Sequence, residues 1–186
     1  MRGCARVARL GVGALLGLLV AACASTASPD LELDASVAPD FAALAAETFA
    51  EFEAAFPTRE GCIGTVTLVA APVLADRATY DPTTATMTVR VPGSADRLRE
   101  ALVHELAHHV ESTCSDHGAL RGVFLEAAGF GPTAAWSHGA TWEQTPSEVF
   151  AEATVEYVLG GRVGRQHLPT VPAEAIAAVA SWAGSG

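Results

Sequence analysis

Apolar residues recur along this chain with two different periods. Phe41, Leu44, Phe49, Phe52 and Phe56 fall on a helical repeat, and Pro57 stops it. Strict alternation then takes over. Val66 and Leu68 alternate with threonines in IGTVTLVAAP, and Met87, Val89 and Val91 alternate with Thr86, Thr88 and Arg90. Both segments predict strands. Asp81-Pro82 between them supplies turn chemistry, so two or three antiparallel strands are expected here. The helical period returns after Pro92-Gly93-Ser94, with Leu98, Leu102, Leu106 and Val110 on one face.

A short helix ending near Gly129 follows, then a loop carrying Trp136 and Trp142. The next helix has Thr145 at its N-cap, Pro146 at its first position and Gly160-Gly161 at its end. Val149, Phe150, Ala153 and Val158 supply its apolar contacts, and a last helix covers the region near residues 172–182. The pattern predicts an α+β fold, a small antiparallel sheet followed by helices, with no internal repeat.

The front of the chain departs from this pattern. Arg2, Arg6 and Arg9 precede an apolar run over residues 10–22. That run is shorter than the roughly 20 residues a membrane span needs and fits a signal peptide over 1–22. Its end, Val20-Ala21-Ala22-Cys23, resembles the lipobox of bacterial lipoproteins. The resemblance implies lipidation of Cys23, export, and anchoring to the outer face of the cell membrane. The plainer alternative is a secreted protein cut near Ala22. Residues 23–39 are rich in Ser, Ala, Pro and acid, and predict a disordered tether before a domain over 40–186.

Charge changes the picture by exclusion. With the three leader arginines gone, eight of the 11 remain against 21 acids, about −13 with histidine neutral, and there is no lysine. So acidic a surface argues against nucleic acid and against anionic lipid held by charge. Cys4 leaves with the leader. In an exported protein Cys62 and Cys114 are expected to form a disulfide; their use as zinc ligands is the alternative.

The candidate chemistry lies in ALVHELAHHVESTC. His104 and His108 are four residues apart, hence neighbours on one helical stripe away from the leucines, and two such imidazoles can reach one Zn2+ ion. Glu105 follows the first histidine, the place of a general base in a His-Glu-x-x-His site. A catalytic site also needs a third protein ligand. Glu111 and Cys114 stand where metzincins carry glycine and a third histidine, which rejects that family. SEVFAEA offers Glu148 and, one turn later, Glu152.

With these residues the chain resembles the gluzincin metallopeptidases, and small bacterial zincin-like proteins, over residues 96–160. The resemblance implies that Glu148 binds zinc and Glu152 supports a ligand histidine, although an aspartate is usual there. It implies a zincin-like fold, hydrolysis of a peptide or protein substrate, and an edge strand, taken as residues 86–91, that pairs with an extended peptide. It also implies an oxyanion donor from outside the motif, for which His138 is the candidate.

Each residue has a simpler reading. Thr145-Pro146-Ser147-Glu148 matches a capping box, in which Glu148 serves only the helix end. Glu152 can be a solvated helix acid, and His104 and His108 polar surface residues. A zinc-binding or structural envelope protein without turnover is the alternative function. His109 points about 100° away from His108 and is expected in surface or core. Tyr157 is expected on the far side of its helix, and His117 and His167 have no assigned role.

Overall fold

The computed structural model describes residues 29–163 and 170–185. Cys4, Cys23, the leader and His167 lie outside the described residues. Four strands, β1 (Asp30–Leu33), β2 (Thr65–Ala71), β3 (Ala78–Asp81) and β4 (Thr86–Arg90), form one sheet in the order β1-β2-β4-β3. Among the described residues six α-helices accompany it: α1 (Pro39–Ala55), α2 (Glu60–Ile63), α3 (Ala95–Thr113), α4 (His117–Ala127), α5 (Pro146–Leu159) and α6 (Ala173–Gly184). The fold is α+β.

The sheet is mixed rather than antiparallel. β1 runs parallel to β2 and β2 parallel to β4, and only β3 is antiparallel to β4. Alternation reports which face a residue occupies and carries no information on strand direction. Direction comes from the connections. Helix α1 returns the chain to the start of the sheet, making β1 and β2 parallel. The tight turn after β3 reverses the chain, and β4 then inserts between β3 and β2.

Two further expectations change. The strand over 86–91 is interior, and the edge next to it is β3, within the segment read as a turn. The tether expected over 23–39 is ordered from Asp30, because Leu31 pairs with Val66 and Leu33 with Leu68. Its composition is that of a linker, yet β2 offers an open row of backbone donors and acceptors that a short strand satisfies.

Val66, Leu68, Met87 and Val89 point from the sheet into the core, where Phe41, Phe49, Phe52 and Phe56 meet them. Phe52 stacks on Phe56 with centroids 4.6 Å apart, and Tyr157 and Trp182 approach Phe56 edge-on. The Tyr157 hydroxyl donates to the Ala55 carbonyl at 2.9 Å, a packing role as expected. Helix α3 lies across this core, packed against α1, α5 and the sheet. Leu102, Leu106 and Val110 are buried, and so are its polar residues Glu100, His104, Glu105 and His109. A charged segment buried this fully must be satisfied by partners or by function.

The C-terminal end of α3 is tied down. Cys114, its C-cap, is bonded to Cys62 of α2, with Cα atoms 5.0 Å apart. His109 is core: Nε2 donates to the Ile63 carbonyl at 2.6 Å, and Nδ1 accepts from the Tyr80 hydroxyl at 2.9 Å. Helix α4 ends at Gly129 in the left-handed region (φ 78°), and the Phe130 and Gly129 amides donate back to Leu125 and Glu126, a Schellman ending. The loop that follows leads to α5. Among the described residues no helix is long and apolar enough to cross a membrane.

Candidate metal centre

Helical spacing sets His104 and His108 one turn apart on α3, with their Nε2 atoms 3.3 Å apart. Helix α5 crosses α3 so that its first turn faces them. Oε2 of Glu148 lies 3.1 Å from Nε2 of His104 and 3.6 Å from Nε2 of His108. These three residues form a group that can hold a metal ion, their ligand atoms all within 4.8 Å of one another. The capping box is not made. Thr145 is the N-cap but makes no side-chain cap bond, and its hydroxyl donates to the Thr141 carbonyl instead. The Glu148 carboxylate is turned towards the histidines rather than to its own helix end.

Each histidine is held from behind. Nδ1 of His104 lies 3.1 Å from Oε1 of Glu152, and Nδ1 of His108 lies 3.4 Å from Oε2 of Glu111. A carboxylate only accepts, so both Nδ1 atoms donate. In the neutral imidazoles, Nε2 then carries the lone pair. Two imidazole lone pairs and a carboxylate oxygen converge on one point with no donor among them. A cation satisfies that arrangement, and each imidazole is backed by a carboxylate.

With a proton in place of a metal the same geometry shows in the acidities. Burial disfavours a charged His108, but the Glu111 and Glu148 carboxylates outweigh it and push its pKa up to about 10. His104 moves in the same direction, burial again being overcome by Glu148 and Glu152. Burial would raise Glu148, yet its hydrogen bonds and attraction to the two histidines hold it well below the usual carboxylate range. Glu152 is also lowered, against burial, by His104 and by Arg162, whose guanidinium donates to its Oε2 at 2.8 Å.

Glu105 differs from all of these. It is buried and lines the cavity beside the histidines, yet among the described residues it makes no hydrogen bond or ion pair. Burial is the main cause of its raised pKa, opposed by the nearby histidines. It is not one of the three residues of that group. Among the described residues it is thus an unpartnered, buried carboxylate beside a group that can hold a metal ion.

The cavity measures about 640 Å³. His104, Glu105, His108, Glu111 and Glu148 line it together with residues 76–80, which lead into β3, and with Ser137 and Trp142. The Trp142 ring lies nearly parallel to His104 at 6.0 Å. His138, the expected oxyanion donor, is not brought to the site: it is exposed and does not line the cavity. Its neighbour Trp136 takes the buried position, and the loop turns His138 outward. Tyr80 and Arg77 do line the cavity, from a segment whose turn residues hid the strand. Arg77 faces Glu100 at 3.3 Å and Glu152 at 3.9 Å.

Glu111 shared a helical face with the histidines in the sequence, but its part was not legible there. Trp136 and Arg162 carried no sequence signal, because their roles depend on where a loop and a helix end fold back. His117 is buried among Trp136, Phe150 and Trp182, away from the cavity lining.

The chain matches no protein-family model, no curated protein and no solved structure.

Proposed function

We propose that this protein is a zinc-dependent peptidase of the gluzincin type, with His104, His108 and Glu148 as the zinc ligands and Glu105 as the general base. The observation that carries the reading is the unpartnered Glu105 carboxylate lining the same cavity as the three ligands. Holding a metal does not require that carboxylate; hydrolysis does. When bound, zinc supplies Lewis acidity, polarising a carbonyl and making a water molecule easier to deprotonate. Glu105 takes the proton from the attacking water on a carboxylate oxygen and returns it to the leaving amine nitrogen. Its raised pKa suits it to hold the proton between the two transfers. Glu152 and Glu111 keep both imidazoles in the tautomer that presents Nε2.

The lining of the cavity by β3 residues supports an extended polypeptide as substrate. Arg77, Ala78, Thr79 and Tyr80 line it, and β3 ends the sheet. The outer side of β3 leaves backbone donors and acceptors for an added strand. The Val20-Ala21-Ala22-Cys23 segment supports export with a lipid on Cys23 at the outer membrane face. Digestion of a peptide library by protein of known zinc content tests the reading. Full zinc with no cleavage leaves a zinc-binding protein without turnover.

A further inference from the structure

Trp136 meets the metal centre from two sides. Its indole Nε1 donates to Oε1 of Glu111 at 2.6 Å. The other oxygen of that carboxylate is the one that faces Nδ1 of His108, at 3.4 Å. Its backbone carbonyl accepts the Ser147 amide at 3.0 Å, in the first turn of α5 and next to Glu148. The ring itself is buried, 5.2 Å from His117 and 5.8 Å from both Phe124 and Phe150. Arg121 covers one face at 5.0 Å and stands 3.8 Å from the same Glu111 oxygen.

A glutamate three residues after a histidine on a helix can reach it, but several rotamers compete. Among the described residues the indole N–H donates nowhere else. Its short bond to Oε1 selects the rotamer in which Oε2 is left for His108. The His104 side has the same logic, with Arg162 holding Glu152. We propose that Trp136 is a positioning residue of the metal centre. Through Glu111 it orients His108, and through its carbonyl it seats the turn that presents Glu148. The inference rests on the metal-binding part of the function proposed above and does not require hydrolysis.

The test is Zn2+ affinity by competition with a chromophoric chelator, for wild type, Trp136→Phe, Glu111→Ala and the double variant. Phenylalanine keeps an aromatic ring in the packing and removes the N–H. Trp136→Phe is expected to weaken Zn2+ binding about 10–100-fold, the range for lost support of a ligand histidine. Because Trp136 acts through Glu111, the double variant should bind within about twofold of Glu111→Ala. Unchanged affinity in Trp136→Phe, or losses that multiply in the double variant, would overturn the proposal. A second measurement needs no variant: the Trp136 indole N–H resonance of the wild type should shift on Zn2+ addition, and an unmoved resonance counts against the relay. A wild type that takes up no Zn2+ refutes the metal reading itself. Normal uptake that ignores Trp136→Phe refutes only this inference.

Discussion

The Glu148 carboxylate bridges two helices, reaching from the first turn of α5 to within 3.1 Å of Nε2 of His104 on α3. Its neighbour one turn on, Glu152, meets the other nitrogen of the same ring, also at 3.1 Å. One imidazole is therefore clamped between two carboxylates from one helix, one on the ligand side and one behind it.

That division of labour predicts unequal losses. Glu148→Ala removes one of three ligands and should abolish Zn2+ retention at limiting metal. Glu152→Ala leaves all three and should weaken it by about 10–100-fold. Elemental analysis after dialysis against a weak chelator reads both. Full zinc in Glu148→Ala would return this residue to a purely helical role.

Glu105→Gln keeps the side-chain size and removes the proposed base. It should retain zinc and the far-ultraviolet circular dichroism of the wild type, and lose peptide hydrolysis by about 10²–10⁴-fold. The two proteins are compared side by side on one peptide library. Equal cleavage by both would assign any activity to a contaminant or to another site.

The Cys62–Cys114 bridge closes a sequence separation of 52 residues that holds β2, β3, β4 and all of α3. Chain entropy over such a loop corresponds to about 4 kcal/mol. Reduction, or paired replacement by serine, should lower the denaturation midpoint accordingly. The change should also loosen the α3 end, where His109 is bonded to the Ile63 carbonyl. Two thiols reacting with maleimide in the folded, oxidised protein would refute the bridge.

His117 predicts a pH dependence separate from the metal centre. Arg121 donates to its Nδ1 at 3.4 Å, while among the described residues the buried Nε2 has no hydrogen-bond partner, and the ring packs against aromatic rings. Burial lowers its pKa to about 4, with Arg121 acting in the same direction against Glu111 and Asp116. The unfolded chain titrates near 6.5 and binds the proton more readily. Stability from the neutral ring is therefore fully present above about pH 6.5. It is lost as pH falls towards 4, a change of about 3 kcal/mol. Urea denaturation of the metal-free protein at pH 7 and pH 4.5 should show this loss, and His117→Phe should show a smaller one. An equal loss in both would remove His117 as the source.

What the sequence determined by itself was local. The periods placed α1, α3 and α5, and the spacing of His104 and His108 put two imidazoles on one stripe, because both follow from the geometry of a single helix. Strand faces at Val66, Leu68, Met87 and Val89 were legible for the same reason. What only the tertiary structure decided was how separate pieces meet. Whether Glu148 capped its helix or turned to His104 depended on α5 crossing α3, since Thr145-Pro146-Ser147-Glu148 satisfies a capping box equally well. Strand direction, the edge position of β3 and the ordering of β1 depended on which backbone edges found partners, and residue alternation is blind to that. His138 lies in the same loop as Trp136, but the loop buries Trp136 and leaves His138 outside. Burial of one loop residue over another is settled by the surface it folds against: here Phe124 of α4, Phe150 of α5 and the Glu111 carboxylate of α3 accept an indole, and nothing in the loop's own sequence names them.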